Sequence, residues 1–408
     1  MKYTGSRPKM NLVICITLLL IGCSNRYPDS WRTDLNRFVT EKDSSISKKT
    51  ASDIIIKFNS QDSNSISSAD RLLLAATYEK LEDFENAMQQ LSFVPDTDPI
   101  AANARFSESQ ITFFKLRLAR PSEKSLLKTL KLKPDFSEAM HRLATLYDIQ
   151  NRINERNRVY ESLDSKSLLN REELLAWTVD RRLDSIEKDY EQALFEFVNA
   201  DSADINSILA FFDHLRNQGR FDEVKQLIKQ IAELKSDHTK HLLSAEILLD
   251  QGNLSEAEKE LLSIAPEQLA SDFLPRYYLI KVKCNLFQKK TGQVELNLSK
   301  LLNQNQLNRQ AIQLTSQFLK LENRKNEAKS YEIRLQKIDQ LEDLGQKARA
   351  TLYQNNNDLV NNIVEIAIDL GRYSLAKAWL KTMLAKDPLN QKLQARIYQL
   401  DQKIGSTP

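Results

Sequence analysis

Short apolar stripes of helical period run the length of the chain. Leu74, Ala75 and Tyr78 fall on one face, Phe84, Ala87 and Leu91 on the next, and Pro99 closes the run. Apolar residues spaced three and four apart predict two amphipathic helices joined by a short turn. The order recurs in Leu143, Ala144 and Tyr147, followed by Ile153 and Tyr160. Farther on, Gly219-Arg220-Phe221 precedes Val224 and Ile228, Gly252-Asn253-Leu254 precedes Ala257 and Leu261, and Gly371-Arg372-Tyr373 precedes Ala376 and Leu380. Gly219 and Gly252 stand 33 residues apart, Pro99 and Pro134 35. A period of this length marks a stack of helix pairs.

Each slot has a physical reason. A small residue in the first helix (Ala75, Ala144, Ala245) lets the second helix approach, and a larger one a turn later (Tyr78, Tyr147, Leu215, Leu248) fills the space beside it. Gly219, Gly252 and Gly371 supply the left-handed helix end that reverses the chain. A small residue in the second helix (Ala87, Ala257, Ala376) meets the next pair, and Pro99, Pro134 and Pro388 stop that helix. This pattern resembles the tetratricopeptide repeat. The resemblance implies an all-α right-handed superhelix of antiparallel pairs, with first helices lining a concave groove. Five repeats are clear, at about 68–99, 137–168, 205–237, 238–266 and 357–390. The array is expected over 68–408, degenerate at about 102–133, 164–203 and 267–356. The segments near 102–133 and 267–356 are expected to open first, because their packing slots look poorly filled. Arg156 in the second-helix Ala slot, Phe211-Phe212 for an apolar-small pair and Val364 for a small residue depart from the pattern.

Composition agrees. Gly and Pro number only 8 and 10 in 408 residues, too few for a protein rich in tight hairpins. Residues 23–67 differ: Ser, Lys, Asp, Asn and Gln crowd 41–68, broken by Ile54-Ile55-Ile56-Lys57-Phe58. They read as a tether with short amphipathic helices, or equally as a degenerate first pair packed on the array.

The amino-terminal segment carries its own signal. Lys2, Arg7 and Lys9 precede an apolar run from Leu12 to Ile21, about half the ~20 residues that a spanning helix needs. Leu20-Ile21-Gly22-Cys23 resembles the lipobox of bacterial lipoproteins. The resemblance implies a signal peptide over 1–22, lipidation of Cys23 and a membrane held through the lipid anchor. Ser24 follows, where the family's inner-membrane retention signal is usually Asp, so the resemblance implies the outer membrane, facing the periplasm. Three of the 58 basic residues and none of the 55 acidic ones lie in the first 22, leaving the remainder neutral. Nothing in that balance favours nucleic acid. With Cys15 in the signal and Cys23 lipidated, Cys284 stands alone, read as a buried apolar residue.

No catalytic or cofactor motif emerges. His238 and His241 share a helix face but lack a third metal ligand, and no phosphate loop or nucleophile elbow is present. The reading is a non-enzymatic scaffold or adaptor for protein partners, with no cofactor and no metal. It resembles lipoproteins that assemble outer-membrane, pilus or polysaccharide-export machinery. Two other classes stay open: a structural lipoprotein that self-associates, and an enzyme with a site hidden in 267–356. Leu72, Leu209, Leu242, Leu249 and Ile368 fall where first helices often face the groove. The competing reading packs them against neighbouring helices. Repeats that clamp peptide carboxylates carry Lys and Asn at such places. Here His141, Asp148, Asp213 and Arg216 stand there, so that resemblance is absent.

Overall fold

A computed structural model describes residues 30–41, 47–59, 66–179, 187–234, 237–269, 273–350 and 356–405. They form an all-α, TPR-like solenoid. In chain order the helices are α1 (Ser30–Thr40), α2 (Lys48–Asn59), α3 (Ser68–Lys80), α4 (Phe84–Ser92), α5 (Ala101–Phe114), α6 (Ala119–Leu132) and α7 (Ser137–Ile149). There follow α8 (Ile153–Ser165), α9 (Arg171–Val179), α10 (Glu187–Ala200), α11 (Ile205–Asn217), α12 (Phe221–Leu234), α13 (Asp237–Asp250) and α14 (Leu254–Leu262). The last are α15 (Leu274–Phe287), α16 (Val294–Gln304), α17 (Arg309–Leu321), α18 (Lys325–Ala350), α19 (Asn357–Asp369), α20 (Tyr373–Leu384) and α21 (Gln391–Gly405). Among the described residues no helix is long and apolar enough to cross a membrane.

The turn inside each pair sets the register. Glu82, Arg117, Asn151, Gly219, Gly252, Lys289, Asn323 and Gly371 all have φ between +54° and +79°. In most of these turns the next residue donates its amide to the carbonyl five residues back, as in Asp83 to Tyr78 at 2.9 Å, Arg324 to Leu319 at 2.8 Å and Arg372 to Ala367 at 2.8 Å. That bond satisfies a carbonyl the first helix would leave orphaned. Five residues beyond each turn stands a buried side chain: Ala87, Ser122, Arg156, Val224, Ala257, Val294, Ala328 and Ala376. The segments that look degenerate in sequence therefore hold regular pairs, α5–α6 over 101–132 and α15–α18 over 274–350. Lys289 and Asn323 are 34 residues apart, one full period inside the stretch where the phase seems lost. Asn and Asp caps start several helices. Asn308 accepts from the Ala311 amide at 3.0 Å and Asn356 from that of Leu359 at 2.9 Å.

The chain divides into two compact units, Met1–Leu146 with Asn199–Asp204, and Tyr147–Val198 with Ile205–Pro408. In the first, α1 and α2 join the core of α3. Leu35, Phe38, Val39, Ala51 and Ile55 pack in one cluster with Leu72–Ala76 and Tyr78. Arg32 grips Asp70 with two bonds of 2.8 Å. The tether expected over 23–67 is thus, across 30–59, a packed helix pair, because its apolar residues find a face of α3 to cover. Residues 42–46 and 60–65 lie outside the described residues.

The second unit holds a contact that no neighbour-only array has. Helix α9 packs against α18 and α20, some 170 to 200 residues further along the chain. The indole of Trp379, fully buried, donates to Thr178 Oγ1 at 2.8 Å. Arg372 donates to the Trp177 carbonyl at 2.6 Å, and Arg156 to that of Ala176 at 3.3 Å. Two guanidinium groups thus converge on consecutive carbonyls of α9, one from each side of the packing. This explains Arg156 in an alanine slot: its head reaches α9 and pairs with Asp148 at 2.6 Å. Lys381 adds a bond of 2.8 Å to Asp164 on α8.

Helix α18 meets three others, α17, α9 and α19. At 26 residues it spans about 39 Å. Its first half pairs with α17, and its second half presents Leu341, Gly345 and Ala348 as a buried stripe in the part that meets α9. A Cβ on Gly345 would stand 3.1 Å from Thr178 Cγ2 and 3.2 Å from Val179 Cγ1. In a free helix Gly→Ala gains about 1 kcal/mol. At Gly345 the crowding reverses the sign, and we expect Gly345→Ala to destabilise by about 1–2 kcal/mol. Gly292→Ala, where nothing lies within 4 Å, serves as the control. Urea unfolding midpoints check this; a stabilised Gly345→Ala would mean that α9 does not approach so closely.

Candidate partner-binding surface

Three first helices of the second unit, α11, α13 and α15, carry a ladder of charges. Asp213 and Arg216 project from α11, Glu246 and Asp250 from α13, and Arg276 from α15. Arg276 bonds Glu246 at 2.9 Å and also pairs with Asp213. Arg216 pairs with Glu246 and reaches Asp250 at 2.9 Å. Both guanidinium groups lie over the ring of Phe212, at 5.9 and 5.7 Å from its centroid. Phe212 fills the slot where other first helices carry Ala75, Ala144 or Ala245. The cation–π contact and the surrounding ion pairs are what let so large a residue sit fully buried there.

Electrostatics in the ladder follow from enclosure. Burial works against the charge of Glu246, but the attraction of Arg276 and Arg216 and their hydrogen bonds outweigh it, so its pKa lies below the ordinary 4.5. Burial alone would likewise lower the Arg276 pKa, yet Asp213 and Glu246 hold it above the usual arginine value. The ladder is internally satisfied. Its charges join adjacent repeats and present little unpaired charge outward.

The sequence-predicted groove residues do not form one surface. Leu72 and Leu242 are core: Leu72 lies in the cluster of α1–α5, and Leu242 is fully buried among Ala245, Tyr277 and Ile280. Neither faces a groove, because the next helix covers it. Leu209 and Leu249 are half-buried and pack on that same Leu242 cluster. Ile368 alone lines an open cleft, of about 390 Å³, with Ile333, Arg334, Lys337, Gln306 and Tyr373. Ile333 is 44 % exposed at its edge, and Lys337 reaches Asp369 at 2.8 Å on its rim. Ile333 and Ile368 are apolar anchors in a cleft whose lining, with Gln306, Ser330, Arg334, Lys337 and Asp369, is mostly polar.

The histidines do not converge. His238 contacts the Ser263 carbonyl at 3.1 Å and the Gln268 amide oxygen at 2.6 Å, while His241 contacts Glu260 at 2.5 Å. Among the described residues no three potential ligands cluster for a metal. Cys284 is buried, and desolvation pushes its thiol up to about 11, the behaviour of a small apolar residue. Residues 1–22 and Cys23 lie outside the described residues.

Sequence reasoning missed the ladder. It noted Asp213 and Arg216 only as unlike a carboxylate clamp. The available signal was opposite charge at one-repeat offset: Arg216 to Glu246 and Glu246 to Arg276 are each 30 residues apart.

No protein-family model matches this chain, and no curated protein does. Among solved structures it is similar to a tetratricopeptide repeat protein from Parabacteroides merdae, at 13 % identity and TM-score 0.32, covering 62 % of this chain and 98 % of that one. It is also similar to the APC/C hetero-tetramer Cut9-Hcn1, at 16 % and 0.32 over 88 % and 75 %, and to the TPR domain of P58(IPK), at 13 % and 0.27 over 83 % and 98 %. Similarities this slight carry no weight beside the chain's own turns and buried slots, on which the fold assignment rests.

Glu246→Gln tests the ladder. Removing one member of a buried pair costs about 3 kcal/mol. Because the folded pKa of Glu246 is depressed, its contribution is present above pH 4.5 and is lost as pH falls through the folded value. Chemical denaturation should show the variant well below wild type at pH 7, with the gap closing below pH 4.5. A gap independent of pH would show that packing, not charge, is at stake.

Proposed function

We propose that this protein is a lipid-anchored, non-enzymatic scaffold that binds protein partners in the bacterial cell envelope. The observation that carries the scaffold half is the recurrence of helix pairs within each unit, with the Ile333–Ile368 cleft open on the second. Within the window 267–356, residues 274–350 form α15–α18, in the same pattern of turns and buried slots as the other pairs. Its exposed charges pair with one another, as Arg324 does with Glu295 and Glu327, each at 2.7 Å. The anchor half is supported by Leu20-Ile21-Gly22-Cys23 and by Ser24 after it, which favour the outer membrane on its periplasmic side. More than one acyl chain makes such attachment lasting. Assembly of outer-membrane, pilus or polysaccharide-export machinery is the setting this reading favours.

Two measurements in cells test the halves separately. Cys23→Ser should lose all labelling by a radioactive fatty acid; undiminished label would end the lipoprotein reading. A photoreactive residue at Ile333 should cross-link one discrete protein, and the same residue at buried Leu242 none. Equal cross-linking at both places would remove the cleft from the account.

A further inference from the structure

The first unit begins close behind the residue that carries the proposed anchor. Six residues, Ser24 to Asp29, separate Cys23 from Ser30, where α1 starts. That length of chain spans at most about 25 Å, however it is arranged. Helix α1 is in turn fixed to the unit. Leu35 and Phe38 are buried in the core beside α3, and Arg32 holds Asp70 through two bonds of 2.8 Å. The contacts also show which edge comes first. Arg32 and Asp70 are each the third residue of their helix, while Lys80, the last of α3, donates to the Glu41 carbonyl just past α1 at 2.9 Å. Helices α1 and α3 therefore run parallel, with both starts on one edge. Ser68, the first residue of α3, donates to Asp98 at 2.6 Å and brings the loop between α4 and α5 to that edge. Phe93, the residue after α4, lies there too, its ring 4.6 Å from the guanidinium of Arg71 in the first turn of α3. Phe93 is 50 % exposed, and Trp31, the second residue of α1, is half-buried. Three carboxylates of the edge have partners: Asp70 has Arg32, Asp98 the Ser68 hydroxyl, and Asp96 has Arg105 at 3.3 Å and Lys128 at 2.8 Å.

We propose that this edge of the first unit lies on the surface of the bilayer that holds the lipid anchor, with Trp31 and Phe93 at the level of the headgroups. The occupant is a lipid surface because the chain's own anchor brings one within reach, which makes the contact intramolecular. Aromatic side chains beside guanidinium groups suit the headgroup layer, where one side is apolar and the other wet. The inference rests on the lipoprotein reading above and goes beyond it. An anchor on a long tether would let the scaffold turn freely, whereas six residues tie one named edge to the membrane. It concerns the first unit alone and makes no use of the Ile333 cleft.

Trp31 reports the placement. Trp177 and Trp379 are buried, and Trp31→Phe isolates the Trp31 emission by difference. The purified protein, its acylation checked by mass, is reconstituted into phosphatidylcholine vesicles whose acyl chains carry bromine near the headgroup, a quencher that acts only at close range. Trp31 should lose emission there relative to vesicles without bromine. Inserting about 40 Gly and Ser residues between Arg26 and Tyr27 adds roughly 35 Å of average reach and should restore that emission. Unquenched Trp31 in the acylated protein would overturn the proposal and leave the anchor standing. Quenching equally strong with the insert would show that the short connection does not place the edge, and would overturn it as well. A protein without acyl mass would end the lipoprotein reading and this inference with it.

Discussion

The contacts of Ala176, Trp177 and Thr178 on α9 are where the second unit closes. An array of helix pairs gains its stability from nearest neighbours, and a terminal pair leaves an apolar face uncovered unless something caps it. Here Trp379 and the stripe of α18 take up that role against α9. Arg156 and Arg372 bring positive charge to the carbonyls of Ala176 and Trp177. One arginine comes from the helix pair before α9 and the other from a turn 195 residues beyond it. Arg156, fully buried, is held from two sides, by the Ala176 carbonyl and by Asp148 at 2.6 Å. The energetic unit is therefore the whole arrangement of α8, α9, α18 and α20.

Closure changes how the rest should be read. In an open array, a poorly filled pair would fray first. The pairs α15–α16 and α17–α18, which look weak in sequence, are well packed. Val294 and Ala328 are buried in the second-helix slot, and Val282 and Ser316 in the first. They lie between α9 and its distant partners along the chain, so losing them would undo the closure. The ladder of Asp213, Arg216, Glu246, Asp250 and Arg276 links three successive first helices in the same unit by ion pairs rather than by apolar contact alone. Within that unit, the Ile333–Ile368 cleft lies along the same α18 that α9 braces, so a partner there would meet a rigid wall.

Much of the fold was legible because its repeating parts obey simple rules. Gly219, Gly252 and Gly371 announce a left-handed turn, and Ala75, Ala144 and Ala245 announce close approach. Lys289, Asn323 and Arg117 make the same turn without glycine, at a modest local cost that the pair's packing offsets, and so gave no signal. Val282 and Val364 fill slots where a small residue was the expected mark. The closure was illegible: Thr178 and Trp379 are 201 residues apart, and a repeat pattern tells which residues fill equivalent slots, not which distant helices meet. The candidate surface was only partly legible. Ile368 does line a cleft, but Leu72 and Leu242 share its helical spacing and are covered, since periodicity tells which face is apolar and not what lies on it.

The central claim is that the second unit behaves as one closed body rather than a row of separable pairs. Native-state hydrogen exchange tests it most directly, by comparing the amides of Trp177 and Thr178 on α9 with those of Trp379 and Leu380 on α20 across sub-denaturing urea. The account predicts that both sets exchange through one opening, with the same free energy and the same urea dependence. Amides of α9 that exchange through a smaller, separate opening while α20 stays protected would contradict it.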